Sequence, residues 1–396
     1  MAIKVEQSQE SIHPIRWLKR LAILCAVLIC HLYLPDKLKA NNLDSEIKDL
    51  ETFSTAYNLI KAKYIQRKNT QELIASAIEG MAKELDPYSA LLTAEDLENI
   101  EQQSVGQYIG IGVTISLGND RYVVTQIFDH SPAQAAGIKR GDEIIRIDDI
   151  ALSEKTMEEI GRILKGEVGE SMYIDYLPAD AESGIKSITL KRALVKANSV
   201  QCSAHDSQIG ILTVHQFHKH TARELEACLT RLSRPAYVLD LRNNPGGLLV
   251  SAVEVTELFV DPGPIVQIRN RENDLIEQYI ARKSDAGSDL LLVVLINSHS
   301  ASASEIVAGA IKDRGRGVLV GEKSYGKGVV QSIYPISEDL YLKLTTALYY
   351  TPSEVSFDGI GLEPDIWQTD SMTAEHYSPD DLVFQKAVSI IKTASD

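Results

Sequence analysis

The sequence predicts a multi-domain α/β protein: a helical N-terminal region, then a module of short strands, then an α/β core. Three observations carry that reading. Between residues 209 and 311 the apolar runs IGILTV, AYVLDL and LLLVVLI alternate with stretches of helical periodicity, which argues for a sheet packed between layers. From Val105 the composition changes to short alternating runs broken by glycines, the pattern of strands and tight turns. Ahead of both, Ile47, Leu50, Phe53, Tyr57, Ile60 and Tyr64 recur about every 3.5 residues, as on one face of an amphipathic helix. A chain of 396 residues is long enough for two or three domains, each able to bury a core. We place the boundaries at 1–40, 41–103, 104–193, 194–372 and 373–396, the last a C-terminal helix.

At the N-terminus, Arg16, Lys19 and Arg20 precede LAILCAVLICHLYL (Leu21 to Leu34), a cationic stretch before an apolar run of signal-peptide length. The run is shorter than the roughly 20 residues a spanning helix needs. Export to the periplasm is the expectation, with two fates open. One is a leader cleaved after Ala40, against which Leu38 stands three residues before the cut. The other is an uncleaved inner-membrane anchor over residues 17–34, with Trp17 and Tyr33 near the interfaces. Neither Cys25 nor Cys30 follows a small residue, so no lipoprotein anchor is read. A second helix spans Thr70 to Leu85 and stops at Asp86-Pro87. The apolar stripe over 44–66 packs on its own chain or on a second copy.

In the next segment GIGVTISL, RYVVTQI, DEIIRIDDI and SMYIDYL read as strands. Pro132 starts a helical turn, and Gly137 and Gly141 fall where the backbone must turn tightly. Thr156 to Lys165 forms a helix with Ile160, Ile163 and Leu164 on one side. The segment resembles a PDZ domain of the inserted type. In that fold an extended peptide adds as a strand beside the second helix, and backbone N–H groups of a glycine-bearing loop hold its terminal carboxylate. The resemblance places that loop at Tyr108, Ile109, Gly110, Ile111 and Gly112, and the helical wall of the groove at Ile160, Ile163 and Leu164. It implies protein substrates with apolar C-terminal tails. Ile109 stands where the pattern has glycine.

The core is organised around LLLVVLINSHSASASEIVAGAIKDRGRGVLVGEKSYGKGVVQ (Leu290 to Gln331). Its apolar run to Ile296 reads as a buried strand, and Ala303, Ile306, Val307, Ala310 and Ile311 recur at helical spacing. Ser302 therefore falls between a strand and a helix, where first-turn N–H groups point free beside it. Ser302 and Glu305 also spell S-x-x-E, so a plain capping box is the competing account. Lys327, between Gly326 and Gly328, is the nearest distinctive base. A solvated lysine, with a pKa near 10.4, holds its proton at neutral pH, so the role requires burial beside Val329 and Val330 without a paired carboxylate. If that segment is extended, Lys327, Val329 and Gln331 share one face.

SASASEIVAGAIKD, GEKSYGKGVVQ and the upstream LDLRNNPGGLL (Leu239 to Leu249) resemble the C-terminal processing, or tail-specific, peptidases. The likeness continues through LKLTTALYYTPS and GIGLEPDI. It implies a serine endopeptidase with a Ser-Lys dyad: Ser302 as nucleophile, Lys327 as base, Gln331 to orient the lysine, and the N–H groups of Gly247 and Ala303 as oxyanion hole. It also implies oligomers through terminal helices, and leaves an adaptor protein open. A non-catalytic PDZ scaffold that binds tails without cutting is the alternative.

Other chemistries fit poorly. A net charge of −15 with 6% aromatic residues repels nucleic acid. GEKSYGKG nearly spells a phosphate-binding loop, but Gly328 replaces the hydroxyl residue and a strand follows where a helix should. No G-x-S-x-G is present. His215, His218 and His220 match no metal-ligand spacing and read as a strand's end in solvent, so no metal or cofactor is expected. The spacing of Cys202 and Cys228 leaves their pairing open.

Overall fold

The computed structural model describes residues 36–118, 121–128, 130–153, 155–164, 166–179, 184–282, 290–369 and 376–395. The leader or anchor expected over 17–34 lies outside them. Among the described residues no helix is long and apolar enough to cross a membrane. Of the described residues, 36–91 form one unit and those from Leu92 another.

The first unit is helical. α1 (Asp36–Lys63) begins earlier than the apolar stripe suggests, because nothing between Asp36 and Lys63 is glycine or proline. A boundary drawn after residue 40 therefore falls inside a helix. Ile47, Leu50, Phe53, Ile60 and Tyr64 of the expected stripe remain exposed. α2 (Thr70–Lys83) starts on an Asn69 cap, whose side chain accepts Gln71 N–H at 2.9 Å. The boundary falls within β1 (Ala90–Thr93), and α3 (Ala94–Ser104) opens the second unit.

In the second unit, the strand-rich module contains β2 (Gln107–Gly110), β3 (Val113–Gly118), β4 (Arg121–Ile127), α4 (Pro132–Ala135), β5 (Glu143–Ile147), β6 (Ile150–Ala151), α5 (Met157–Leu164), β7 (Ser171–Leu177), β8 (Lys186–Lys191) and β9 (Ala193–Lys196). β3, β4, β5, β7 and β8 form one antiparallel sheet with β6 on β5, while β2 and β9 pair as a separate ribbon. Alternation explains the packing. Tyr122 and Val124 of β4 turn inward to meet Ile144, Ile147, Met172, Ile174 and Ile160.

The core follows with β10 (Val200–Ala204), β11 (Ile209–Val214), α6 (Thr221–Leu232), β12 (Ala236–Asp240), α7 (Leu249–Glu257), β13 (Gly263–Arg269), β14 (Leu275–Ala281), β15 (Leu291–Ile296), α8 (Ala303–Asp313), β16 (Val318–Gly321), β17 (Val329–Pro335), β18 (Leu340–Tyr350), β19 (Ile366–Trp367) and α9 (Leu382–Ser395). Its main sheet runs β10-β11-β12-β15-β16-β19, parallel from β11 onward with β10 antiparallel at the edge. Period two divides each strand between two cores. Leu292, Val294 and Ile296 pack with α6, α7 and α8, whereas Val293 and Leu295 pack with α9. α9 buries Val383, Phe384, Ala387, Val388 and Ile391 on this chain's own sheet, and Leu382 faces out. A second sheet pairs β14 with β13, β13 with β18, and β18 with β17. Cys202 of β10 and Cys228 of α6 form a disulfide with their Cα atoms 6.1 Å apart, which settles the pairing the spacing left open.

Candidate active site

Parallel strands direct their carboxyl ends to one edge, where open α/β sheets form their crevices. Three neighbouring strands, β12, β15 and β16, deliver three loops there: 241–248 with the glycine pair, 297–302 ending at Ser302, and 322–328 with Lys327. The loops are bonded to one another. Ala301 N–H donates to Asn244 O at 3.0 Å and Tyr325 N–H to Ser300 O at 3.0 Å.

Ser302 holds φ 55° and ψ −111°, a conformation sparsely populated by non-glycine residues, immediately before α8. Ser302 and Glu305 form the capping box that S-x-x-E spells, with Glu305 Oε2 accepting Ser302 N–H at 2.8 Å. An ordinary N-cap holds extended backbone angles, so capping alone does not account for the conformation of this residue. Glu305 does more than the sequence suggested. Fully buried, its Oε2 accepts Ser302 N–H at 2.8 Å and Lys327 N–H at 2.9 Å, while Oε1 accepts Gly326 N–H at 2.7 Å and Ser324 Oγ–H at 2.6 Å. Burial raises this carboxyl above the usual range, and the four donors pull in the opposite direction. One carboxylate thus fastens the backbone of position 302 to that of position 327. The signal for it was present as a lone acid inside SEIVAGAI, a helix otherwise buried all round.

Lys327 is half-buried in the loop ahead of β17, between buried Val329 and Val330 and the buried Ser324. Gln331 is buried within β17. The shared face expected for 327, 329 and 331 does not follow simply, because Lys327 precedes the strand and the β17–β18 register shifts between Val330 and Gln331.

The glycine pair approaches from the other side. A Cβ on Gly246 would lie 2.7 Å from Ala301 O and 2.9 Å from Ser302 Cβ, and one on Gly247 only 2.0 Å from Phe217 O. With φ of 102° and 145°, both positions need glycine. Ala303 is the first residue of α8, so its N–H has no intrahelical acceptor. Behind the loop, buried Arg242 bridges Asp240 at 2.7 Å and Asp381 of the α9 entry at 3.0 Å. The two carboxylates outweigh burial and hold the guanidinium protonated.

In the strand-rich module, Tyr108, Ile109, Gly110, Ile111, Gly112 and Leu164 line a cavity of about 390 Å³ with Gln102, Gln103 and Gln216, which sequence reasoning missed. Tyr108 Oη is buried there without a hydrogen-bond partner among the described residues. Ile109 is accommodated in β2 opposite Leu194, and the turn comes at Gly112, φ 82°. Two expected groove residues are placed elsewhere. Ile160 is 1% exposed and belongs to the module's core, and Ile163 packs against that core outside the cavity lining. A helix eight residues long shows only its outer edge to the groove.

Of the three histidines, His220 is exposed as expected, whereas His218 departs from expectation. His218 is buried, accepting His220 N–H at Nδ1 (3.1 Å), so Nε2 carries the proton and donates to Ala197 O (3.1 Å). Burial lowers its pKa below the ordinary range. It is a packing group where chain segments cross, not a solvent-facing strand end. Among the described residues no cluster could hold a metal ion.

This geometry has counterparts. A family model described as peptidase family S41 matches residues 208–367, one for a PDZ domain matches 123–177, and one for the N-terminal domain of the activating protease CtpB matches 34–96. Over 335 residues the chain is 36% identical to a carboxy-terminal-processing protease of Bartonella bacilliformis, covering 82% of this chain and 76% of that protein. The chain belongs to peptidase family S41. It is 30% identical over 373 residues to a probable CtpA-like serine protease of Staphylococcus aureus, with coverage of 91% and 74%. The photosystem II D1 C-terminal processing protease superposes with a TM-score of 0.54 at 28% identity, covering 80% of this chain and 86% of that one. A putative S41 protease of Bacteroides fragilis shares the fold, with a TM-score of 0.55 at 15% identity over 86% of this chain and 97% of that one. As an S41 peptidase with a PDZ domain, the protein is a serine-type protease whose substrates are proteins.

Proposed function

We propose that this S41 peptidase is an exported endopeptidase that captures apolar C-terminal tails through its PDZ module and cleaves the attached chain with a Ser302–Lys327 dyad. Ser302 Oγ attacks the scissile carbonyl as Lys327, in its neutral form, takes the proton and then delivers it to the leaving amine. Gln331 orients the lysine without adding charge. The developing oxyanion is held by the N–H groups of Gly247 and Ala303, each such donor contributing about 3 kcal/mol to the transition state. Water releases the acyl-enzyme. The reading rests above all on the Glu305 carboxylate, which bonds the backbone of Ser302 and of Lys327 at once. The strained backbone of Ser302 and the close packing of Gly246 against it support the same assignment.

The tail would lie in the cavity along Tyr108 to Gly112, its carboxylate toward the loop N–H groups and a polar atom meeting Tyr108 Oη. Export, by a cleaved leader or an inner-membrane anchor, together with self-association and an adaptor, belongs to the same proposal. Purified wild type, Ser302→Ala and Lys327→Ala are incubated with an unstructured protein ending in apolar residues. Cleavage by wild type alone supports the dyad, equal cleavage by all three removes it, and tail binding without turnover by wild type favours a scaffold.

A further inference from the structure

Between the glycine pair and the serine loop sits one side chain that none of the roles above uses. Asn244 is fully buried just beyond β12. Its Nδ2 donates to Val214 O, at the end of β11, at 2.7 Å, and its Oδ1 accepts Gly246 N–H at 2.9 Å. Its carbonyl oxygen accepts Ala301 N–H at 3.0 Å and Ser304 Oγ–H at 2.9 Å. A single residue therefore joins the end of β11, the glycine turn, the residue before Ser302 and the first turn of α8.

We infer that Asn244 is a positioning residue that sets the approach of the Gly246–Gly247 turn to Ser302, an inference that rests on reading Ser302 as the nucleophile. The turn has little slack. Phe217 N–H donates to Gly246 O at 2.9 Å, Leu248 N–H donates to Phe217 O at 2.7 Å, and a Cβ on Gly246 would meet Ser302 Cβ at 2.9 Å. The amide is the group the position demands: Val214 O calls for a donor and Gly246 N–H for an acceptor, and an asparagine side chain offers both without charge. An aspartate would set an acceptor against a carbonyl oxygen. An alanine would leave a buried N–H and a buried carbonyl without that partner. Asn243 gives the contrast within the same seam. Its amide oxygen accepts Asn297 Nδ2–H at 2.9 Å and its N–H donates to Asn297 Oδ1 at 3.0 Å, so it joins the same two loops without a hydrogen bond to either glycine.

The test uses the full chain and a fluorogenic peptide with an apolar C-terminus, comparing wild type with Asn244→Ala, Asn244→Asp, Asn243→Gly and Ser302→Ala. Each protein is measured for kcat, KM, affinity for an uncleavable tail peptide, and inhibition by a peptide boronic acid that forms a tetrahedral adduct on the serine. For both Asn244 variants kcat should fall about 100-fold and boronate affinity by a similar factor, with KM and tail affinity within about threefold, as expected when only transition-state geometry is disturbed. Asn243→Gly should stay within about threefold throughout, because a missing tie at the seam's exposed edge does not move the glycine turn. If the Asn244 variants fail to fold, Ser304→Ala, which removes one tie to the Asn244 carbonyl, decides the matter by showing or lacking the same split. Unchanged kcat, or a loss spread equally over KM and tail affinity and shared by Asn243→Gly, overturns the inference. Full turnover by Ser302→Ala instead overturns the reading of the nucleophile, and with it the reason for placing Asn244 in the machinery.

Discussion

Ser302 and Lys327 hang from the same oxygen: Glu305 Oε2 accepts the backbone N–H of both, at 2.8 and 2.9 Å. Two loops from different strands are thereby held in one register by a charge that sits inside an apolar helix. The carboxylate's other oxygen fixes Gly326 and Ser324, so the lysine loop is held at three successive points.

Replacing Glu305 by Gln keeps the size but turns an NH₂ toward groups that are themselves donors. Each buried donor left unsatisfied costs about 1–3 kcal/mol. Glu305→Gln should therefore unfold at lower temperature and lose about 100-fold in kcat, because the two loops no longer share an anchor. Thermal melts and peptide turnover check this together, and wild-type values in both would refute the anchor.

Gly247→Ala puts a methyl group 2.0 Å from Phe217 O at a φ of 145°. Relief requires the turn to move and carries the N–H away from the oxyanion, with a loss of about 10²–10³ in kcat. Tail affinity measured on the same protein should change far less, within about threefold, since Tyr108 to Gly112 and Leu164 lie outside the turn and only Gln216 of the cavity lining adjoins Phe217.

Arg242 joins the loop after β12 to the start of α9 through Asp381. Burial pushes the Asp381 carboxyl up, but the hydrogen bonds and charge of Arg242 prevail and hold it below the ordinary range. A lowered carboxylate pKa contributes stability that is present above the unfolded value, near 3.9, and is lost as pH falls through the folded one. Asp381→Asn should be less stable than wild type by about 3 kcal/mol at pH 7 and pH 5, with a narrower gap at pH 3. Urea titrations at the three pH values test the sign.

The Cys202–Cys228 bridge spans 26 residues and ties edge strand β10 to α6. Closing a loop of that length removes about 3.5 kcal/mol of unfolded-chain entropy. The Cys202→Ala/Cys228→Ala double variant, or wild type under reductant, should lose stability of that order in denaturant titrations.

Most of the architecture was legible because it follows from periodicity. The buried run of β15 and the strand-to-helix placement of Ser302 both come from alternation at two or 3.6 residues. What escaped depends on contacts distant in sequence. Glu305 looks like a local cap until the lysine loop folds back onto it. Asn244 looks like a turn residue until Val214 and Ala301 arrive. His218 reads as polar and exposed, but it is buried where Gly106 and Ala197 meet it. Ile160 shares a helical face with Leu164, yet a face is wider than the strip that borders a groove.

The central claim, that Ser302 carries the acyl group, is tested most directly by trapping it. A slowly deacylating peptide ester is added to the full-length protein, which is quenched in acid, digested and mapped by mass spectrometry. The account predicts an acyl adduct on the peptide containing Ser302 in wild type and none in Lys327→Ala. An adduct on another residue, or the same adduct formed at the same rate without Lys327, would contradict it.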